Sequence, residues 1–176
     1  MPARRVLNWP MKLTDHFTLE ELTDSDTAVR LGIDNTPPPA IRPHLEALAQ
    51  GLEEVRRILG QPIIVKSGYR CEALEKVLCA KDYAAWCVRH GRPQATAWPE
   101  YFARKSHPRG YAADFICPRF GTPVEIVRAL KNAGIKFDQV IEEGSWVHAS
   151  FDPRMRRELL TARFDASGTP TYTRQA

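Results

Sequence analysis

The chain has 176 residues, enough for one domain with a real core and too few for two of ordinary size. Apolar residues at 43% and charged ones at 26% exclude a disordered or fibrous class, and no apolar run approaches the length of a membrane span. The formal net charge of +4 comes from scattered basic residues and gives little support to a nucleic-acid partner.

The opening "MPARRVLNWPMK" has a basic start but neither an apolar core of export-signal length nor a small-residue cleavage site. It reads as an extension, residues 1–12, of a protein that stays in the cytoplasm until something else releases it. Within residues 13–23, Thr18 and Glu21 have the spacing of a capping box that opens a short helix. The prolines of "IDNTPPP" then impose a loop. Ile41, Leu45, Leu48, Leu52, Val55 and Leu59 recur at helical spacing, and Gly60 supplies the stop.

Ile63 to Val65 reads as a short buried strand running into a loop at Ser67 and Gly68. Residues 71–104 read as helical pieces broken at Gly91 and Pro93, with 79–105 as an insertion whose Trp86, Trp98, Tyr101 and Phe102 either pack inward or wall a cleft. Thr122, Pro123, Glu125 and Gly134 mark both ends of a further helix. Two alternating apolar runs around "EEGS" predict an antiparallel hairpin. Residues 152–176 carry little periodicity and read as a tail with a short helix around Glu158 to Leu160.

Cys71, Cys79, Cys87 and Cys117 have no pair at the spacing of a zinc ribbon, so free thiols are expected. The metal-binding signal lies elsewhere. Two histidines and one carboxylate are a common catalytic zinc set, with water in the fourth position, and His107, Asp114 and His148 are one such set. Strand parity along "SWVHASF" places His148 on one face with Trp146 and Ser150. His16, His44 and His90 have no partner at metal spacing.

Three separated motifs now stand in order: "SGYR" after an apolar strand, "SHPRGYAAD", and "WVH". Together they resemble the zinc D-Ala-D-Ala carboxypeptidases and dipeptidases of bacteria and phages, over about residues 13–151. The stretch "FTLEELTDSDTAVRLGIDNTPP" is similar to the start of the phage and prophage subgroup. The resemblance implies an α+β fold of the hedgehog and D-Ala-D-Ala peptidase type, a small single domain whose central antiparallel sheet, flanked by helices, carries Zn2+ on His107, Asp114 and His148. It also implies a peptidoglycan peptide as substrate, with no nucleic-acid or membrane partner, and a monomer. Arg70 is expected to hold or polarise that substrate, with Ser106 and Trp146 beside it. In the family the segment from His107 to Asp114 crosses from a loop into a strand, where Gly110 allows the turn and Ala112 and Ala113 keep bulk from the metal.

One departure matters. Many family members carry an acidic general base three residues before the last zinc histidine, and here that position is Ser145. A two-residue turn at Gly144 and Ser145 would pair Glu143 with Trp146 and put Glu143 on the His148 face, whereas a turn one residue longer would favour Glu142. Glu143 is therefore the expected base and Glu142 the alternative. Two readings compete with the peptidase: a non-catalytic zinc module for wall binding or virion structure, and a nucleic-acid-binding domain, for which no recognition helix or basic stripe is present.

Overall fold

The structure, a computed structural model, describes residues 11–175, so most of the expected extension at 1–12 lies outside the described residues. Helix α1, Leu19–Thr23, begins where the Thr18 side chain accepts the Glu21 backbone N–H at 3.2 Å. Ser25 caps α2, Asp26–Leu31, in the same way and Gly32 closes it, although the sequence reading assigned no element there. Helix α3, Arg42–Leu59, buries Leu45, Leu48, Ala49, Leu52, Val55 and Leu59 along one stripe. Helix α7, Pro123–Ala133, carries a complete capping box between Thr122 and Glu125.

Three helices lie between them in the chain: α4 Glu72–Leu78, α5 Ala80–His90 and α6 Trp98–Phe102. Gly91 ends α5 in the left-handed conformation. Around α5 and α6 a small core of Cys79, Tyr83, Trp86, Cys87, Ala97 and Tyr101 forms apart from the main one. Trp86 and Tyr101 are thus packing residues. All four cysteines are free thiols.

The described residues include six strands, β1 Ile64–Ser67, β2 Ala112–Ile116, β3 Gln139–Glu142, β4 Val147–Ser150, β5 Glu158–Phe164 and β6 Pro170–Arg174. They form one sheet in the order β1-β2-β4-β3-β5-β6. Every pairing is antiparallel except β3 with β5, which is parallel. The result is a single α+β domain.

Strand parity divides the sheet into two chemical faces. Ala113, Phe115, Val140, Val147, Ala149 and Leu159 point into the main core with the buried stripes of α3 and α7. Ala112, Asp114, His148 and Ser150 share the other face, in register across β2 and β4. Only Ala112 of the two alanines therefore lies beside the metal residues, and Ala113 packs in the core.

The expected tail with a helix at Glu158 to Leu160 is instead the β5–β6 hairpin. Its apolar residues are few, and Leu159 next to Leu160 hides the alternation. What recruits β5 is the open edge of β3, reinforced by a buried charge. Asp138 is fully buried, accepts from Ser150 Oγ at 2.9 Å, and takes both the backbone N–H and the guanidinium of Arg156. Its carbonyl accepts from Glu158 N at 3.0 Å.

Burial pulls the Asp138 carboxyl upward, but the Arg156 and Ser150 hydrogen bonds and the Arg156 charge hold it below its ordinary value. Asp138→Ala removes the buried acceptor of Ser150 and Arg156, leaves Arg156 with Glu158 alone, and should cost about 2 kcal/mol of unfolding free energy. Because the folded pKa is depressed, this contribution is present above the unfolded carboxylate value of about 3.9 and disappears as pH falls through the folded one. Urea titrations of both proteins at neutral and acid pH should show the gap between them closing in acid, with β5 and β6 amides losing exchange protection first.

Candidate metal centre

Residues 106–111 make a tight turn. The Ser106 carbonyl accepts from Arg109 N at 3.2 Å and Tyr111 N at 3.1 Å, and His107 O accepts from Gly110 N at 3.0 Å. Gly110 has φ +76°, and a Cβ there would stand 2.7 Å from Ile41 Cγ2, so both conformation and space demand glycine. The turn delivers His107 to the face where Asp114 and His148 stand opposite each other on β2 and β4.

His107 Nδ1 lies 2.7 Å from the Gly68 carbonyl. A carbonyl only accepts, so Nδ1 carries the hydrogen and Nε2 offers its lone pair inward. Gly68 is itself pinned: a Cβ on it would meet Leu22 O at 2.2 Å, and Tyr69 N donates to that oxygen at 2.7 Å. Helix α1 therefore reaches the site through two backbone contacts.

His107 Nε2, His148 Nδ1 and Asp114 Oδ1 form a small triangle. The nitrogens are 3.2 Å apart, and Oδ1 lies 3.2 Å from His107 and 3.0 Å from His148. A tetrahedral ion with bonds of about 2.0–2.1 Å spaces its ligand atoms about 3.3–3.4 Å apart. The donor set, two nitrogens and one oxygen, fits a divalent cation such as zinc, and all three residues are buried.

Electrostatics favours the ligating protonation states. Burial and the Arg70 charge lower the His107 pKa despite the opposing Asp114. Burial alone would raise the Asp114 carboxyl, but the neighbouring His107, the Arg70 charge and the contact with His148 hold it well below the carboxylate range. A neutral imidazole and an anionic oxygen are the result.

Arg70 stands behind this cluster. Its Nε donates to Ser67 Oγ at 2.9 Å, Nη1 to Glu75 Oε2 at 3.4 Å, and Nη2 to Asp114 Oδ2. The guanidinium expected to meet substrate is thus occupied within the protein, 15% exposed, and orients the Asp114 carboxylate. Glu75, only 1% exposed at its side of Arg70, escaped the sequence reading because nothing in the spacing of α4 distinguishes it from a solvated glutamate.

Residues 143–146 connect β3 to β4, with Gly144 and Ser145 as a two-residue turn between Glu143 and Trp146. Glu143 N donates to Trp146 O at 3.0 Å, and Gly144 has φ +72°. Ile141 pairs with His148, so Glu143, two residues on, shares the His148 face. Trp146 Nε1 donates to Glu143 Oε2 at 2.6 Å and fixes that carboxylate. Burial and the negative charge of Asp114 raise the Glu143 pKa, against the pull of His148, the Trp146 hydrogen bond and Arg70. Glu142 belongs to the opposite face, where it accepts from Arg163 and from Gly144 N.

Ser106 is buried, with its hydroxyl accepting from Arg154 Nη2 at 2.9 Å. The other histidines are used elsewhere. His16 pairs with Glu53, His44 stacks on Tyr111 and His90 stacks on Trp86.

A model of the Peptidase M15 family matches residues 15–79, from just before α1 to the end of α4. Over that stretch, less than half of the chain, the sequence is similar to this family. M15 peptidases are zinc-dependent metallopeptidases of the D-Ala-D-Ala carboxypeptidase-like type, so zinc is the ion to set against the His107, Asp114 and His148 triangle. The matched stretch ends before that triangle, whose assignment rests on its geometry. No curated protein matches the chain.

Gly110→Val should lower zinc affinity about tenfold or more, the scale expected when a ligand's support is removed. Zinc content after dialysis should fall while far-ultraviolet circular dichroism keeps the signal of the α3 and sheet core. Retained zinc would show that the turn is not what sets the His107 position.

Proposed function

We propose that this chain is a zinc peptidase of the M15 type that hydrolyses a peptide bond in cell-wall stem peptides, of the D-Ala-D-Ala carboxypeptidase or endopeptidase type. The observation that carries the reading is the metal triangle with Glu143 fixed on the same face. Zinc would be held by His107, Asp114 and His148 and would supply electrophilic activation of a carbonyl and of water.

The residues divide the remaining work. Glu143, one oxygen tied to Trp146, takes a proton from the attacking water and returns it to the leaving amine as the C–N bond breaks. Its raised pKa suits both halves of that transfer. Arg70 acts as a positioning residue through Asp114, and the Gly68 carbonyl does the same for His107. The similarity of the early sequence to phage and prophage members supports a lytic enzyme that meets the wall after release from the cytoplasm. Among the described residues no helix is long and apolar enough to cross a membrane.

Ser145 at the usual acidic position favours a second reading, a zinc module that binds wall without cutting it. Zinc content and amine release from purified peptidoglycan separate the two. The wild type should hold one zinc and release amines, His148→Ala should lose both, and Glu143→Gln should keep zinc while kcat falls about 10²–10⁴-fold. Glu143 works as a base only when ionised and its pKa is raised. The acid limb of kcat/KM should therefore lie above the ordinary glutamate value of about 4.3, with activity falling as pH drops through it. Full activity in Glu143→Gln would remove Glu143 from the mechanism, and a zinc-loaded but inactive wild type would establish the binding module.

A further inference from the structure

Strand register places Asp114 and His148, whereas His107 depends on the loop that carries it. The chain reaches His107 from α6, which packs in the small core of the helical insertion. Lys105, two residues ahead of His107, reaches back into that region, where its Nζ donates to Asp82 Oδ2 at 2.9 Å. On the far side of the insertion, Lys81 Nζ of α5 donates to Ser167 O in the β5–β6 turn at 2.5 Å. The approach to this ligand therefore comes from a core that is separate from the main one, and it needs its own tie to the sheet.

Arg154, on the connection from β4 to β5, supplies that tie. Its Nη1 donates to Arg104 O at 3.2 Å and its Nη2 to Ser106 Oγ at 2.9 Å, so one planar group spans the chain just ahead of His107. Asp152, completely buried, sets the position of this arginine. Its Oδ1 accepts from Arg154 N at 3.0 Å, and its Oδ2 stands 3.0 Å from Arg154 Nη2 and 3.4 Å from Arg109 Nη1. Oδ2 has no aligned hydrogen bond, so the last two contacts act through charge. Arg109 follows His107 by two residues, and one buried carboxylate thus holds cations on both sides of the ligand. Phe151 N also donates to Tyr111 O at 2.9 Å, seating the connection against the far end of the turn. Met155 and Arg157 have φ of +47° and +56°, left-handed conformations that side chains rarely adopt. Such strain persists only where the surroundings over-determine it, and here Asp152 grips the chain before Met155 while Asp138 takes Arg156 N after it.

We propose that Arg154 is a positioning residue for the metal ligand His107: anchored on Asp152, it clamps Arg104 and Ser106 to the sheet and so fixes the path of the chain into the imidazole. With the clamp in place, His107 Nε2 already stands at the triangle when an ion arrives. Without it, the ion has to select the fraction of molecules in which the segment is ordered, and apparent affinity falls by that fraction. The effect is therefore on metal binding before any substrate is present.

This inference rests on the metal part of the peptidase reading, and its test needs no substrate. Wild type, Arg154→Gln and Arg154→Lys are compared for zinc affinity by competition with a chromophoric chelator, for the visible spectrum of their cobalt(II) forms, and for the urea midpoint of the metal-free proteins. Arg154→Gln should bind zinc about tenfold more weakly, with altered cobalt bands. Arg154→Lys keeps a charge beside Asp152 but cannot span Arg104 O and Ser106 Oγ with a planar fork, so it should show the same loss while its urea midpoint stays near that of the wild type. Wild-type zinc affinity in either variant would overturn the assignment. A lower urea midpoint in Arg154→Lys with wild-type cobalt bands would make the residue structural and overturn it too. A wild type that binds zinc but releases no amines from peptidoglycan ends the peptidase reading, and the affinity comparison still decides the role of Arg154. A wild type with no affinity for zinc ends both.

Discussion

The pairing of β2 with β4 puts Asp114 directly across from His148, and most of the molecule can be understood as support for that one register. A slip of one residue would turn Asp114 into the core and Phe115 onto the metal face. The core side prevents it, because Phe115 and Val147 are completely buried in the main cluster with the stripes of α3 and α7. Hydrophobic packing on one side of the sheet thereby fixes the coordination geometry on the other. The register sets two of the three candidate ligands, and only His107 has to be brought in by a loop.

Around the triangle, each ligand has a partner that restricts it. Gly68 O fixes the His107 tautomer, and Arg70 takes the Asp114 oxygen that faces away from the histidines. Arg70 is in turn held by Glu75 and Ser67. Two carboxylates against one guanidinium leave this buried group net negative before a cation arrives, which favours an ion of charge two. Polar groups so deeply buried cost stability when unpaired, so the network is an asset only because each member has a partner.

Much of this was legible from local chemistry. Thr122 with Glu125, the stripe of α3 and the glycine stops at Gly60 and Gly134 act within one or two turns of chain, and they appear where their spacing puts them. The face of Glu143 followed from counting two residues in a turn, because side-chain direction in a strand has a period of two. The β5–β6 hairpin was illegible, since its cause is the open edge of β3 and the Asp138–Arg156 pair rather than any pattern within 152–176. The occupation of Arg70 was hidden for a related reason. "SGYR" marks the arginine, but its partners Glu75 and Asp114 reach it only after α4 and β2 have folded.

The small core beneath α5 and α6 shares no residue with the main core. Six buried side chains give it little cohesion of its own, so it is the part of the domain expected to open first. Through Lys81 it also sets where the hairpin turn rests. Changes that repack this satellite would move the hairpin turn while the scaffold carrying the candidate metal residues stays as it is. The architecture therefore separates two evolutionary tasks, leaving the flank of the candidate metal face free to drift in a region whose failure does not unfold the rest.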